Sequence, residues 1–535
     1  MKLEGLNFEV ARIPGAVPAY RAEVDATQWA ETCRLVRGQG GRLVALWGAD
    51  NSDRGEAFAV HAALTVQSGL LVISLPLDGT SFPDVSDIFP AANRIQRATF
   101  DLLGVSAAGA DDRRKWLRHS AWPADVFPLR KDFCSEFKVQ GSELRPGSQN
   151  PQPGTRNPEP RPEQMDDYPF VQVAGEGVHE IPVGPVHAGT IEPGHFRFSI
   201  VGEGILRLEE RLGYKHKGIE KRFETMTLAE GARLAGRVSG DSTVAYAWAY
   251  AMAVESATGV TPPERALWLR ALLLERERVG QHLWDLGFLG NDAGLAFGLA
   301  QFSCLREDLL RANAALFGHR YLMDTIVPGG VARDLDAGGA ARIRGEIDAV
   351  GKTVALLKDI YDEHAGLQDR FIGCGRVKPD LADRLGLTGT AGRASAMAWD
   401  LRAQFPPVPY DNLDVRMATH RNGDVAARAT VRFEEIAESL RLIGLILSSL
   451  PAGDIAASVP DAPDNAFGIG WVEGWRGEVL IALETGANNR IRRCHPHDPS
   501  WQNWPLLERA VLGNIVPDFP LINKSFNLSY SGHDL

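Results

Sequence analysis

ERALWLRALLLERERVGQHLWDLG, residues 264–287, repeats its apolar side chains at intervals of three and four, which predicts a long and largely buried helix. Pro262 and Pro263 stand where a helix start tolerates proline, and Gly287 and Gly290 are expected to close the same helix. The spacing recurs at 228–256, 295–323, 340–369 and 426–450, so the second part of the chain reads as a mainly helical domain. Short β-like pieces at 184–208 and 472–483 frame it.

Upstream, QGSELRPGSQNPQPGTRNPEPRPEQMDD at 140–167 is rich in Pro, Gly and polar residues and has nothing to build a core from, so it reads as an extended linker. Before it, the runs 43–47 and 69–76 are short, apolar and bounded by Gly, Asp or Pro, as strands are, while 25–36 and 54–67 carry helical spacing. The expected architecture is α+β: a small α/β domain over 1–139, the linker, and a helical domain with small β elements over 168–535.

Length and composition exclude several classes. A chain of 535 residues suggests two or three units, and 44% hydrophobic with 23% charged residues is an ordinary globular composition. With 57 Lys and Arg against 68 Asp and Glu, the net charge is -11, and no basic block is long enough to track a phosphate backbone, so nucleic acid is not an expected partner. The five cysteines, Cys33, Cys134, Cys304, Cys374 and Cys494, form no CxxC pair, which argues against a disulfide framework, a zinc ribbon or an iron-sulfur cluster and for a reducing cytoplasm. The N-terminus lacks the apolar core of a signal peptide, and the longest apolar runs, near 440–447 and 244–254, fall short of a membrane span of roughly 20 residues. Membrane association is therefore expected only through partner subunits. The GxGxxG fingerprint and the Walker loop are both missing, so direct NAD or ATP binding has no support.

Four clusters carry chemistry-bearing residues. GPVHAGTIEPGHFRFSI at 184–200 sets His187, Glu192, His195 and Arg197 in a Gly- and Pro-punctuated loop that could present titratable groups or merely cap a tight turn. LGYKHKGIEKRFE at 212–224 gathers His216, Lys217, Glu220, Lys221 and Arg222, in a pattern shared by solvated charged faces. On the 264–287 helix, Glu275 and His282 lie two turns apart on one face, and Glu277 and Gln281 form a neighbouring pair; a proton relay and a salt-bridged core helix both fit. GWVEGWRGEVLIALE at 470–484 puts Glu473, Arg476 and Glu478 on an apparent hairpin, where Arg476 is either an anion contact or an exposed charge.

Taken together these stretches resemble one family, the large subunit shared by membrane-bound nickel-iron hydrogenases of the formate hydrogenlyase and hydrogenase-4 type and the quinone-site subunit of respiratory complex I. The first and second clusters, PGGVARD at 328–334, GRASAMAWDLR at 392–402, RNGDVAARATVRFEEIAESLRLI at 421–443 and PSWQNWP at 499–505 follow the order of the family's signatures. The first domain is similar to the complex I 30 kDa subunit through DIFPAANRIQRATFDLLG at 87–104 and PLRKDF at 128–133, although Gln96 and Ala98 stand where acidic residues are usual. The fusion of both pieces in one chain is itself like hydrogenase-4.

The resemblance also exposes departures. In the hydrogenases, thiolates from two CxxC pairs hold the nickel-iron centre, since soft metals favour sulfur. Aligned on RVSGDSTVAYAWA and LINKSFNLSYSGHDL, those positions fall on Ser239, Ser242, Ser529 and Gly532, so no nickel-iron centre and no directly bound metal are expected. The tyrosine that holds the quinone headgroup in complex I falls near Gly240, with Tyr246 and Tyr250 one to two turns further on. The resemblance implies a vacated pocket lined by His187, His195, Glu220, Arg237, Ser239, Asp241, Ser242, Arg476 and Ser529. Within it, His187 or His195 is the expected proton donor, Asp241 a second acid or base, and Arg476 a charge stabiliser. No cofactor is expected on the chain itself; the resemblance implies iron-sulfur clusters in small partner subunits as the electron source, either a quinone-like acceptor or conformational coupling to an antiporter-like membrane arm as the use of those electrons, and membrane subunits holding the chain at the cytoplasmic face of the inner membrane. The rival expectations are a subunit that keeps the fold and catalyses nothing, and a working nickel-iron hydrogenase or formate hydrogenlyase subunit, which requires ligands this sequence does not contain.

Overall fold

The computed structural model describes Gly5 and residues 8–119, 122–123, 125–133, 168–188 and 191–535; the predicted linker lies outside the described residues. In the first domain the strands Ala11–Ile13, Ala19–Glu23, Gly69–Pro76, Phe58–Val66 and Leu43–Asp50 form one sheet in that spatial order. Ala19–Glu23 runs parallel to Gly69–Pro76 and the other pairs are antiparallel. The helix Ala26–Gly38 starts at a capping box, Asp25 accepting from the Gln28 amide while the Gln28 side chain accepts from the Asp25 N–H, and it buries Trp29, Cys33 and Val36.

The helical expectation for 54–67 is overturned, because Phe58–Val66 is a strand hydrogen-bonded on both sides. Its sequence, FAVHAALTV, is buried on both faces, so it lacks the polar-apolar alternation that marks a half-exposed strand. Sheet burial outweighs the helix propensity of its alanines.

In the second domain the helix Glu264–Asp292 is the axis, packed against Ala296–Phe317 and Val425–Ser449, with Ala337–Glu363 outside. Gly287 and Gly290 do not end it. The helix runs on to Asp292, and Gly290 instead makes room for Tyr361, whose hydroxyl would lie 2.2 Å from a Cβ there and donates to the Leu286 carbonyl at 2.8 Å. The stretch read as one helix over 228–256 is two, Leu228–Ala235 and Thr243–Thr258. The intervening GRVSGDS turns the chain, and Thr243 Oγ1 donates back to the Gly236 carbonyl at 2.7 Å.

Thr243–Thr258 is apolar on every side because a sheet covers what the helices leave. That sheet, Phe467–Glu473, Glu478–Gly486 and Arg490–His497, is antiparallel throughout. Its first strand approaches the helix so closely that a Cβ at Gly468 or Gly470 would meet the carbonyls of Ala253 and Ala249 at 2.0 and 1.8 Å. A second antiparallel sheet, Val178–Val183, His195–Val201 and Gly204–Arg211, stands at the domain's entrance.

The two domains are joined by charge as well as by apolar contact. Arg492 donates to Asp53, Asn51 and the Asp50 carbonyl, Arg493 to the Gly48 carbonyl, and Gln502 to the Val44 carbonyl.

Candidate functional site

The turn between Leu228–Ala235 and Thr243–Thr258 places Ser239, Gly240, Asp241 and Ser242 at the start of a buried helix. The first amides of that helix have no partner within it. Val244 N–H donates to Glu277 at 2.7 Å and Ala245 N–H at 3.3 Å, so a carboxyl from the axial helix caps it. Burial pushes Glu277 up to about 8, despite those amides.

The other half of the site comes from the end of the chain. Phe519–Phe526 stops at Asn527, which is left-handed at φ 45°, and Ser529 then caps Tyr530–Asp534 by accepting from Gly532 N–H at 2.8 Å. Ser529 N–H donates to Ser500 Oγ at 2.9 Å, which fixes this turn against the helix Ser500–Ala510.

These pieces meet at Asp241. Arg476, in the turn of the hairpin, donates to its two carboxylate oxygens at 2.6 and 3.4 Å, to Ser242 Oγ at 3.2 Å and to the Asn527 carbonyl. Ser239 Oγ donates to Asp241 at 2.6 Å and lies 2.8 Å from Ser529 Oγ. Burial opposes the charge of both ionic partners, but each outweighs that cost for the other, holding Asp241 below the usual carboxylate range and Arg476 above the usual guanidinium range. Below the pair, Tyr246 donates to Asp498 at 2.7 Å, and burial followed by that carboxylate pushes the phenol well up.

Asp241, Arg476 and Ser529 form part of the wall of a cavity of about 440 Å³. Its other walls are Ile191 and Glu192, Gln281 and Trp284 on the axial helix, Arg306, Tyr321, Met323, and the segment around Asn523, Lys524 and 527–531.

Ser239, Asp241, Ser242, Arg476 and Ser529 are therefore brought together, whereas the other sequence candidates are not. Glu220 is removed to the domain interface, where it pairs with Arg493 at 2.8 Å and His495 at 2.7 Å; burial works against its charge, but those two partners hold it down at about 2. Arg237 is bidentate to Asp324 at 2.7 Å on the surface and does not line the cavity. His195 lies on its strand beside Arg197 and Phe170, also off the cavity. His187 stands behind the wall, with its ring centroid 6.2 Å from that of Tyr530, and its Nδ1 faces the Pro185 carbonyl at 3.2 Å. Neither histidine is among the residues that line the cavity.

Glu275 and His282, expected on one helix face, are both buried in ionic networks. Glu275 accepts from Arg402, Tyr410 and Ser439 at 2.6 to 3.1 Å, and His282 meets Glu435 at 2.7 Å. Arg393 then links Glu435 to Glu473, at 2.7 and 2.8 Å.

The residues do not fit a nickel-iron centre. The positions the resemblance assigns to thiolates carry hydroxyls or nothing, and the Ser239 and Ser529 hydroxyls are spent on each other and on Asp241 and Gly532. Among the described residues no group of three or more His, Cys, Asp and Glu is arranged to hold a metal ion.

The family described as respiratory-chain NADH dehydrogenase, 30 Kd subunit, matches residues 22–139, and that described as the 49 Kd subunit matches 292–466. Segments matching both subunit types thus lie in one chain. The chain belongs to the family of formate hydrogenlyase subunit 5 and hydrogenase-4 component G. It is 32% identical to the first, from Escherichia coli K12, over 93% of this chain and 85% of that one. It is 31% identical to the second, from the same strain, over 92% and 84%. A chain in the solved structure of the membrane-bound sulfane sulfur reductase, an archaeal respiratory membrane complex, shares the fold, with a TM-score of 0.64 and 24% identity over 68% of this chain and 100% of that one. These relatives are subunits of multisubunit assemblies, and among the described residues no helix is long and apolar enough to cross a membrane.

Proposed function

We propose that the chain is the large subunit of a membrane-associated, complex I-like redox complex that transfers electrons, coupled to ion translocation, without a nickel-iron centre. Small iron-sulfur subunits deliver the electrons to the cavity face, antiporter-like membrane subunits anchor the assembly at the cytoplasmic face of the membrane, and a quinone is the first acceptor to test. The observation that carries this reading is the Asp241–Arg476 pair, built across the positions where the family's metal thiolates are expected and open to a cavity of about 440 Å³. Arg476 holds Asp241 ionised, so the carboxylate accepts a hydrogen bond from a hydroxyl or takes up a proton, and Arg476 offsets negative charge that develops beside it. Glu277, beneath the same turn, is the adjacent group with a proton to give near neutral pH.

One observation favours the rival, a non-catalytic scaffold: Ser239, Asp241, Arg476 and Ser529 satisfy one another without a ligand. The complex purified from detergent-solubilised membranes separates the two. Iron without nickel, co-purifying membrane subunits, and acceptor reduction that falls at least tenfold in Asp241→Asn support the redox reading. Stoichiometric nickel overturns it, and equal tolerance of cavity and surface substitutions leaves the scaffold.

A further inference from the structure

The cavity floor is electrically settled, but one wall is not. Arg306 and Lys524 both line the cavity, and neither forms an ion pair with a carboxylate among the described residues. Each rests on a ring instead. The Arg306 guanidinium centre lies 4.4 Å from the Trp284 ring and 5.6 Å from Tyr321, and Lys524 Nζ lies 4.6 Å from the Phe288 ring. Trp284 and Phe288 are one turn apart on the axial helix with centroids 4.4 Å apart, so one aromatic pair carries both cations.

A ring face steadies a cation but accepts only weakly from its N–H groups. Arg306 Nε is buried and has no hydrogen-bond acceptor. The nearby carboxylates do not answer these charges. Asp241 is taken by Arg476, and Glu192 accepts from Ser531 N–H at 2.9 Å with Lys215 3.7 Å away. Asp292 feels the charge of Lys524 without reaching ion-pair distance. A chain with net charge -11 thus keeps a positive wall inside this cavity, which favours an anion there. At about 440 Å³ the cavity is too large for an inorganic ion and is the size of an organic ligand, and Met323, Leu528 and Ile191 give that ligand an apolar surface.

We propose that the cavity binds a small organic acid, its anionic group taken by Arg306 and Lys524 and its uncharged end reaching the Asp241–Arg476 floor. The proposal rests on the cavity being the working site and commits its ligand to a negative charge, which a neutral quinone lacks.

The test is a fluorine NMR titration of the full chain with para-fluorobenzoate and its neutral isostere para-fluorobenzamide, with a short-chain ubiquinone analogue as competitor. The acid is expected to bind at least about tenfold more tightly than the amide, the worth of one charge-assisted hydrogen bond. Arg306→Gln and Lys524→Gln should each weaken the acid about tenfold and leave the amide unchanged, while Arg306→Lys keeps most of the affinity. Thermal melting checks that each variant is folded, and Lys524→Gln carries the test if Arg306→Gln is not. Equal binding of acid and amide, acid binding indifferent to both substitutions, no acid binding to the folded chain, or a ubiquinone analogue that binds more tightly than the acid overturns the proposal. No redox partner takes part, so failure here leaves the complex reading standing, and nickel in the native complex defeats that reading without touching this measurement.

Discussion

Asp498 occupies the space that any side chain at Gly532 would need: a Cβ on Gly532 would fall 2.3 Å from an Asp498 carboxylate oxygen and 2.9 Å from Ser529 Oγ. The same carboxylate accepts from the Tyr246 hydroxyl at 2.7 Å, so it is anchored rather than free to step aside.

Restoring cysteine at the four positions the family uses therefore does not restore a metal site. The variant carrying Ser239→Cys, Ser242→Cys, Ser529→Cys and Gly532→Cys is expected to bind no stoichiometric nickel by elemental analysis. Gly532→Cys alone should cost about 1–3 kcal/mol from overpacking, read by urea denaturation.

Asp241 and Arg476 should be coupled. Asp241→Asn leaves a buried guanidinium without its counter-charge, yet Asp241 has 38% of its side chain exposed, so the loss is discounted to about 1–2 kcal/mol. Adding Arg476→Met should return part of that loss. A double-mutant cycle in urea at pH 7 that gives strict additivity removes the pair from the account.

Glu277 should make the protein less stable as pH rises. Its carboxyl titrates at about 8 when folded against the ordinary 4.5. The folded state therefore holds the extra proton between those values, and its stability falls as pH climbs through that window, by on the order of a few kcal/mol. Glu277→Gln keeps an acceptor for Val244 N–H and has no proton to lose. Melting temperatures measured from pH 5 to pH 8.5 should decline less steeply in that variant than in the parent.

Glu220 acts in the opposite direction. Held at about 2 in the fold, it contributes stability that is present above its ordinary 4.5 and is lost as pH falls toward 2. Glu220→Gln leaves Arg493 and His495 without their carboxylate, and it should raise hydrogen exchange in Leu43–Asp50 and Arg490–His497 together, since Arg493 also holds the Gly48 carbonyl at 3.0 Å.

How much of this was legible depended on where each residue finds its partners. The long helices were readable because burial on one side repeats every three or four residues within a single stretch. Phe58–Val66 was not, since a strand covered on both faces shows no alternation. Gly290 looked like a helix end, but the demand on it comes from Tyr361 on another helix. At the site, resemblance pointed to Ser239, Asp241 and Ser529. Glu220 was misassigned because the His495 that claims it lies 275 residues further on. Arg306 and Lys524 gave no signal, because a lone cation in sequence looks like any solvated charge until packing on Trp284 and Phe288 shows that it has no counter-ion.

The contact of Gly468 and Gly470 with the Thr243–Thr258 helix has a mechanical result. With backbone pressed on backbone there is no side-chain layer to slide or compress, so the hairpin and the helix behave as a single strut. Arg476 rides at one tip of that strut and Asp241 at the head of the helix within it, so the packing keeps the two in registry. Arg306 and Lys524 are mounted on other helices, so the cavity lies between the strut and a wall carried by separate elements.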